Sequence, residues 1–429
     1  MERSSGIIEN KFIFISKLIF PFAFSFFISV LYRTSTSVLS PYLITDFSLS
    51  AADLGLVGSS YFIAFAIAQP PLGVALDRFG ARRTLSILLL FAVCGSLLFS
   101  KAYLTWHLIV GRGLIGIGVS GCLMAAFKAY KEWLTNEELP LVNSYQALAG
   151  GLGAIIATQP IHVALAFIHW RELFYILATI TFIAALLVYK MVPQKSREGS
   201  TGEPIRMQFM AVVHIARSAK FWQITPAATM VQASFIALNT LWVGPWLKDV
   251  YRMDISEVAF SLMIISIAVC SGYFLNGLIA HKLRLFGIST ESVCKAGMVV
   301  FTTALGCIGI LENKAGVLSW VLLMLSGPFS LLAYSLLVIM FEKNLAGRVI
   351  TLYNFMVFVT VFFIQWVTGI IINLWPPMDS GYHPQGYQAA FLVLFLLNAA
   401  MLLWMVLYKV ESILWLTNWC GRKLSRLKG

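Results

Sequence analysis

The stretch Gly73-Val-Ala-Leu-Asp77-Arg78-Phe-Gly80-Ala-Arg82-Arg83 packs four charged residues between two long apolar windows, near 54–76 and 84–102. Each window has the length, roughly 20 residues, that an α-helix needs to cross a bilayer. A short polar break between two such windows is a tight connection between antiparallel spans. The rest of the chain repeats this pattern. Of its 429 residues, 59% are apolar and 12% charged, and the mean hydropathy is +0.82. Soluble globular chains run about 45–50% apolar and about 25% charged. So much apolar surface cannot all be buried in a soluble core, which excludes an ordinary soluble enzyme along with disordered, collagenous and nucleic-acid-binding classes. The net charge of +12 reads as the basic excess of cytoplasmic loops.

Twelve apolar windows emerge: 18–42, 54–76, 84–102, 106–127, 140–164 and 172–190, then 221–247, 255–281, 291–311, 317–341, 349–374 and 387–408. The expected organisation is a six-helix half over 1–192, a polar cytoplasmic linker over 193–220, a second six-helix half over 221–410 and a basic tail over 411–429. Both termini are expected in the cytoplasm. On that assignment Lys101, Arg171, Lys248, Arg252 and Lys314 face outward, Arg33 and Arg112 lie inside spans, and the remaining Lys and Arg face inward. The tail, with Trp415, Trp419, Arg422, Lys423, Arg426 and Lys428, reads either as an amphipathic helix on an anionic leaflet or as a solvated basic segment. The apolar run from Phe12 is too long for the core of a cleavable signal peptide. The six cysteines form no CxxC pair, so neither disulfide nor metal use is expected; Cys420 is a weak palmitoylation candidate. No P-loop, GxSxG or HExxH pattern occurs, and neither enzyme activity nor a cofactor is expected.

The 73–83 loop resembles the loop 2–3 signature of the major facilitator superfamily, G-x-x-x-D-R-x-G-R-R, with Ala81 in the family's first basic position. The resemblance implies an all-α membrane fold of twelve helices in two six-helix halves, and a conformational latch built from Gly73, Asp77, Arg78, Gly80, Arg82 and Arg83. Gly73 would allow close packing of span 2, Asp77 would meet the N-terminal end of span 11, and Arg78 and Arg82 would pair with nearby acids. After span 8, Gly277 and the basic residues Lys282 and Arg284 recur, but His281 stands in place of the acid. Span 4 carries Arg112-Gly-Leu-Ile-Gly116-Ile-Gly118, similar to the family's R-x-x-x-G-x-G pattern. Span 5 has Gly150, Gly151, Gly153 and Pro160, partly similar to an antiporter motif, and equally readable as small residues for close helix packing.

Ionisable residues inside a membrane are costly and mark function by default. Arg33 and Arg112 lie at similar depth, and no Asp or Glu falls in the middle of any span. A guanidinium stays charged and grips a carboxylate bidentately. Arg33, beside Thr34, Ser35, Thr36 and Ser37, is expected to bind an anionic group; Arg112 either does the same or bonds backbone carbonyls of span 1. The resemblance places spans 1, 4, 7 and 10 around a cavity, adding Asn239, Trp242 and Tyr334, and Tyr61 and Gln365 are further candidates. Gln69, Gln146, Gln159 and Gln232 fit helix–helix hydrogen bonds equally well. His107 and His162 lie near outer ends and no acid lies within the membrane, so exchange, facilitated diffusion or symport with the substrate's own proton fits better than a carboxylate proton relay. The expected protein is a secondary transporter of a small organic anion, working by alternating access in a bacterial inner membrane. It would be monomeric, with the lipid bilayer, the substrate and a coupling ion or counter-substrate as its partners. A carrier of small peptides or a carboxylate siderophore is the alternative within carriers, and a non-transporting receptor or scaffold the alternative outside them.

Overall fold

The computed structural model describes residues 2–135, 137–193, 205–311, 314, 316–342, 345–378 and 381–408. The basic tail with Cys420, the core of the linker and Asp379 lie outside these residues. The elements are α1 (Glu2–Phe47), α2 (Ala51–Ser100), α3 (Thr105–Val119), α4 (Cys122–Trp133), α5 (Leu139–Ile156), α6 (Gln159–Leu165), α7 (Trp170–Met191) and α8 (Ile205–Arg217). Then come α9 (Ala219–Ala237), a π-helical turn (Leu238–Trp242), α10 (Val243–Asp249), α11 (Ile255–Leu285) and α12 (Thr290–Leu311). The last are α13 (Gly316–Ser326), a 3₁₀ turn (Gly327–Leu331), α14 (Leu332–Met340), α15 (Ala346–Ile372) and α16 (Pro384–Leu407).

Eleven stretches are long and apolar enough to cross a membrane among the described residues. One of them, α2, is 50 residues long, about 75 Å at 1.5 Å per residue, far beyond a hydrocarbon core of about 30 Å. It divides at Gly80, where φ is 79° and ψ is 167°. That backbone conformation is open to glycine and closed to residues with a Cβ. Thr84 Oγ1 donates to Ala75 O (3.1 Å) across the bend. Counted as two spans, α2 brings the total to twelve. Helices interrupt elsewhere at identifiable residues. The fifth window ends as α5 and α6, parted at Thr158 before Pro160, because proline cannot donate to the helical ladder. The fourth window breaks at Ser120 and Gly121, where Gln69 Nε2 donates to Ser120 O (3.4 Å).

The chain forms two compact units that do not follow chain order. Unit 1 comprises Met1–Gly202, Ile236–Cys270 and Val361–Ala390; unit 2 comprises Glu203–Phe235, Ser271–Thr360 and Phe391–Gly429.

In unit 1, α2 packs on α3 and α7, and α1 packs on α5. The glycines of Arg112-x-x-x-Gly116-x-Gly118 lie directly on α2, Gly116 against Tyr61 O and Gly118 against Ala92, which gives that pattern its packing role. At the end of the unit that carries the α1–α2 turn, Asp46 accepts from Arg171 Nη1 (2.8 Å) and Trp170 Nε1 (2.8 Å), tying α1 to α7. Ser50 and Asp53 cap α2 reciprocally, and Asn373 Oδ1 accepts from Ala51 N (2.9 Å), adding a cap from the end of α15. Asp249 accepts from Tyr387 Oη (2.7 Å) and Tyr382 N (3.1 Å), while Tyr382 Oη donates to Leu49 O (2.9 Å). Burial, then the charges of Asp249 and Asp53, push the Tyr382 hydroxyl well above the ordinary phenol range, so it remains a donor.

In unit 2, Gln232 Oε1 accepts from Tyr353 Oη (2.8 Å), and Asn354 Oδ1 accepts from Tyr334 Oη (2.9 Å). Asn276 Nδ2 donates to Pro328 O (2.9 Å) at the 3₁₀ turn, and Asn398 Nδ2 donates to Ser234 Oγ (2.9 Å). Lipid offers no hydrogen bonds, so such amides take up hydroxyls and carbonyls that would otherwise stay unpaired.

The conformation at Gly80 generates a prediction. Gly80→Val should destabilise the protein by at least about 1–2 kcal/mol, the cost of forcing a Cβ into positive φ. The measurement is the thermal unfolding midpoint in detergent, and an unchanged midpoint contradicts the requirement.

Candidate functional site

Arg112 is the most buried charge of unit 1, at 1% exposure. Helix α3 places it opposite α1, where its Nη1 donates to Tyr32 O (2.8 Å) and its Nη2 to Thr36 Oγ1. The Tyr32 hydroxyl in turn meets Thr181 Oγ1 of α7 (3.1 Å). Of the two roles open to Arg112 in the sequence, the structure displays the bond to a carbonyl of the first span. A buried guanidinium held this way splices α3 to α1, and its Nε alone is left without a partner among the described residues. Its face lies over the Tyr61 ring, 5.2 Å from the centroid, a cation–π distance.

Arg33, one residue beyond Tyr32, is set differently. It is partly exposed, and among the described residues it makes no hydrogen bond or ion pair. Tyr61 is fully buried and lies in the field of both Arg33 and Arg112. Ser29 is close to the Tyr61 hydroxyl, yet no hydrogen bond of normal geometry closes there. Arg33, Tyr61 and Arg112 therefore form one cationic–aromatic cluster, with spare polar atoms on Tyr61 and on Arg112 and a whole guanidinium on Arg33.

A second group lies on the π-helical turn Leu238–Trp242, where Val243 N donates to Leu238 O. That five-residue step marks a π-helix, and such turns are frequent at functional sites. Asn239 is within the turn and partly exposed. Trp242 is fully buried, with its indole Nε1 on Gln365 O (3.2 Å) and Tyr387 across its edge (6.2 Å between centroids). Gln365 is buried at 1% exposure, and its Nε2 donates to Ala237 O (3.2 Å) and Thr240 Oγ1 (3.0 Å). Its amide donors are spent on the protein. Ser37 Oγ, one helical turn beyond Arg33 on α1, donates to Leu241 O (3.3 Å) and accepts from Gly244 N (3.1 Å).

Unit 1 thus brings together Arg33, Arg112 and Tyr61 in one cluster and Asn239, Trp242 and Gln365 in another, with Ser37 joining α1 to the second. Tyr334 belongs to unit 2, hydrogen-bonded to Asn354. The 73–83 loop residues are set as follows. Asp77 pairs with Lys128 of α4 across an exposed surface, where such a pair contributes about 0–1 kcal/mol. Arg82 stacks over Tyr189 (4.7 Å) and Arg78 over Phe79 (5.5 Å), while Arg83 is exposed. A Cβ added at Gly73 would meet no atom within 4 Å, so that glycine's close approach is not in use. Tyr32, Thr36, Ser37 and Lys128 were not singled out as partners by sequence reasoning. The hydroxyl run Thr34–Ser37 was the available signal for two of them; nothing in the sequence marks the carbonyl of Tyr32.

Twelve apolar spans thus carry two embedded arginines. The family model of the Major Facilitator Superfamily matches residues 22–365, and the chain belongs to that superfamily of membrane transporters. It is 23% identical over 338 residues to the hexuronate transporter of Escherichia coli strain K12, covering 74% of this chain and 77% of that one. It is 23% identical over 273 residues to a probable sulfoacetate transporter of Cupriavidus necator, covering 60% and 63%. The crystal structure of a D-xylose–proton symporter shares the fold, with a TM-score of 0.74 at 13% identity over 92% of this chain and 98% of that one. The protein is accordingly a multi-pass integral membrane transporter, set in a lipid bilayer and acting on a small molecule.

The geometry of Arg112 generates a prediction about stability. Arg112→Gln removes two charge-assisted hydrogen bonds, each worth about 1.5–3 kcal/mol. It should lower the unfolding midpoint and the folded yield from membranes, whatever solute is present. A variant with wild-type stability would mean that the α1–α3 splice does not depend on this side chain.

Proposed function

We propose that this transporter moves a small organic anion of the hexuronate type, and that Arg33 holds its carboxylate. The observation that carries the reading is the contrast between two guanidiniums at similar depth. Arg112 is tied to α1 through Tyr32 and Thr36, whereas Arg33 is partly exposed and unpaired among the described residues. A charge buried in a membrane protein requires a counter-charge or water, and an anionic substrate supplies the former. The names of the relatives, a hexuronate transporter and a probable sulfoacetate transporter, both denote organic anions. Asn239, partly exposed on the π turn, is a neutral donor suited to substrate hydroxyls.

The mode of transport follows from the same charges. An anion that neutralises Arg33 can cross by exchange, by facilitated diffusion or with its own proton, because no Asp or Glu lies in mid-span to serve as a relay. The two six-helix halves, 1–192 and 221–410, are taken to rock about this site, with the 73–83 loop biasing one state. The membrane is taken to be a bacterial inner membrane, with both termini in the cytoplasm.

Arg33→Gln should weaken binding of D-glucuronate at least about tenfold, the size of one lost charge-assisted bond, and Arg33→Lys should restore it only in part, lacking the two-pronged grip. Ligand affinity of folded, detergent-purified protein is the measurement. Wild-type affinity in Arg33→Gln removes Arg33 from the site. For topology, reporter fusions at Ser200 and Lys428 should read cytoplasm and one at Asp379 the opposite side. A non-cytoplasmic signal at Ser200 overturns the six-plus-six orientation.

A further inference from the structure

Gln365 has a placement that neither substrate contact nor plain packing accounts for. Its side chain reaches from α15 to the one π-helical turn among the described residues and bonds both sides of it, Ala237 O before Asn239 and Thr240 Oγ1 after it. Its own carbonyl receives the indole N–H of Trp242, the last residue of the turn. On the opposite side, the Ser37 hydroxyl takes Leu241 O and Gly244 N. Space is kept for this arrangement on α2: a Cβ at Gly55 would lie 2.6 Å from Gln365 O and one at Gly58 would lie 3.2 Å from Gln365 Oε1. A π turn is strained relative to an α-helix and persists where surrounding groups take up its backbone. Here two side chains do so, Gln365 from α15 and Ser37 from α1.

We propose that Gln365 is a positioning residue: its amide holds the Leu238–Trp242 segment in the π form, and that form sets the direction in which Asn239 points. Reversion to α-helix would drop one residue from the turn and rotate the preceding helix face by about 100°, the angle per residue of a 3.6-residue turn, turning Asn239 away. The link runs through α1 as well, because Ser37, which clasps the turn, lies one helical turn from Arg33. Solute bound at Arg33 and the shape of the turn are then coupled through a single rigid element. This use of the turn rests on the reading of Arg33 as the anion site; the clasp itself does not.

The test is hydrogen–deuterium exchange on the full-length protein, wild type against Gln365→Met, which keeps side-chain bulk and removes the amide donors. Peptides covering 236–246 should exchange about fivefold to tenfold faster in the variant, the effect of losing roughly 1 kcal/mol of local hydrogen bonding, while peptides from α7 stay unchanged. In the same variant KM for D-glucuronate uptake into proteoliposomes should rise at least severalfold with kcat held. Thr240→Val, which removes one of the two bonds, should give an intermediate exchange rate and serves alone if Gln365→Met does not fold. Unchanged exchange over 236–246, or an increase spread evenly through the protein, overturns the proposal. If wild-type protein neither binds nor moves D-glucuronate, the anion reading fails while the exchange result still decides the role of Gln365.

Discussion

Hydrocarbon accepts no hydrogen bonds, so each backbone N–H and C=O at membrane depth must find a partner within the chain. That constraint accounts for where this structure departs from regular helix and what stands at each departure. The 3₁₀ turn has Asn276 on Pro328 O, and the break in the fourth span has Gln69 on Ser120 O. The π turn has two attendants, Gln365 and Ser37. Several polar side chains in the spans of this protein therefore supply irregular backbone, while others, such as Arg112 and Gln232, join one helix to another. Only those left over after that supply are free to meet a solute.

The same reasoning sorts the charges. Asp46 and Asp249 sit at the ends of their helices and are engaged, Asp46 by Arg171 and Trp170, Asp249 by Tyr382 and Tyr387. These acids fasten the α1–α2 turn, α7, α10 and the α15–α16 connection of unit 1. With the acids held at the ends, the mid-span charges are two arginines. One, Arg112, is bound to α1, and the other, Arg33, makes no hydrogen bond or ion pair among the described residues. A cation remains here by subtraction, after the structural bonds have been made.

Small residues set how close these partners come. Gly116 admits the backbone of Tyr61, which brings α3 against α2 and puts Arg112 over the Tyr61 ring. Gly244 admits Ser37, which brings α10 against α1. Helices in lipid associate by such close packing and by interhelical hydrogen bonds, since lipid tails are as apolar as the side chains they would replace. The positions of the arginine and the asparagine follow from the glycines beside them in the chain.

Composition, the twelve apolar windows and the 73–83 loop were enough to read an all-α membrane transporter, because crossing lipid imposes a length and an apolarity that are written along the chain. The two embedded arginines were legible for the same reason: a charge inside an apolar window stands out without any knowledge of packing. Their difference was not legible. Whether a guanidinium is spent depends on which carbonyls face it, and Tyr32 O and Thr36 Oγ1 approach Arg112 only when α3 lies on α1. Gln365 looked like Tyr61 or Asn239 in the sequence, a polar residue in a span. Only the tertiary structure separates a glutamine that clasps a π turn from an asparagine left partly exposed on it, since a π turn is a local compromise enforced by neighbours and has no pattern of its own in the chain.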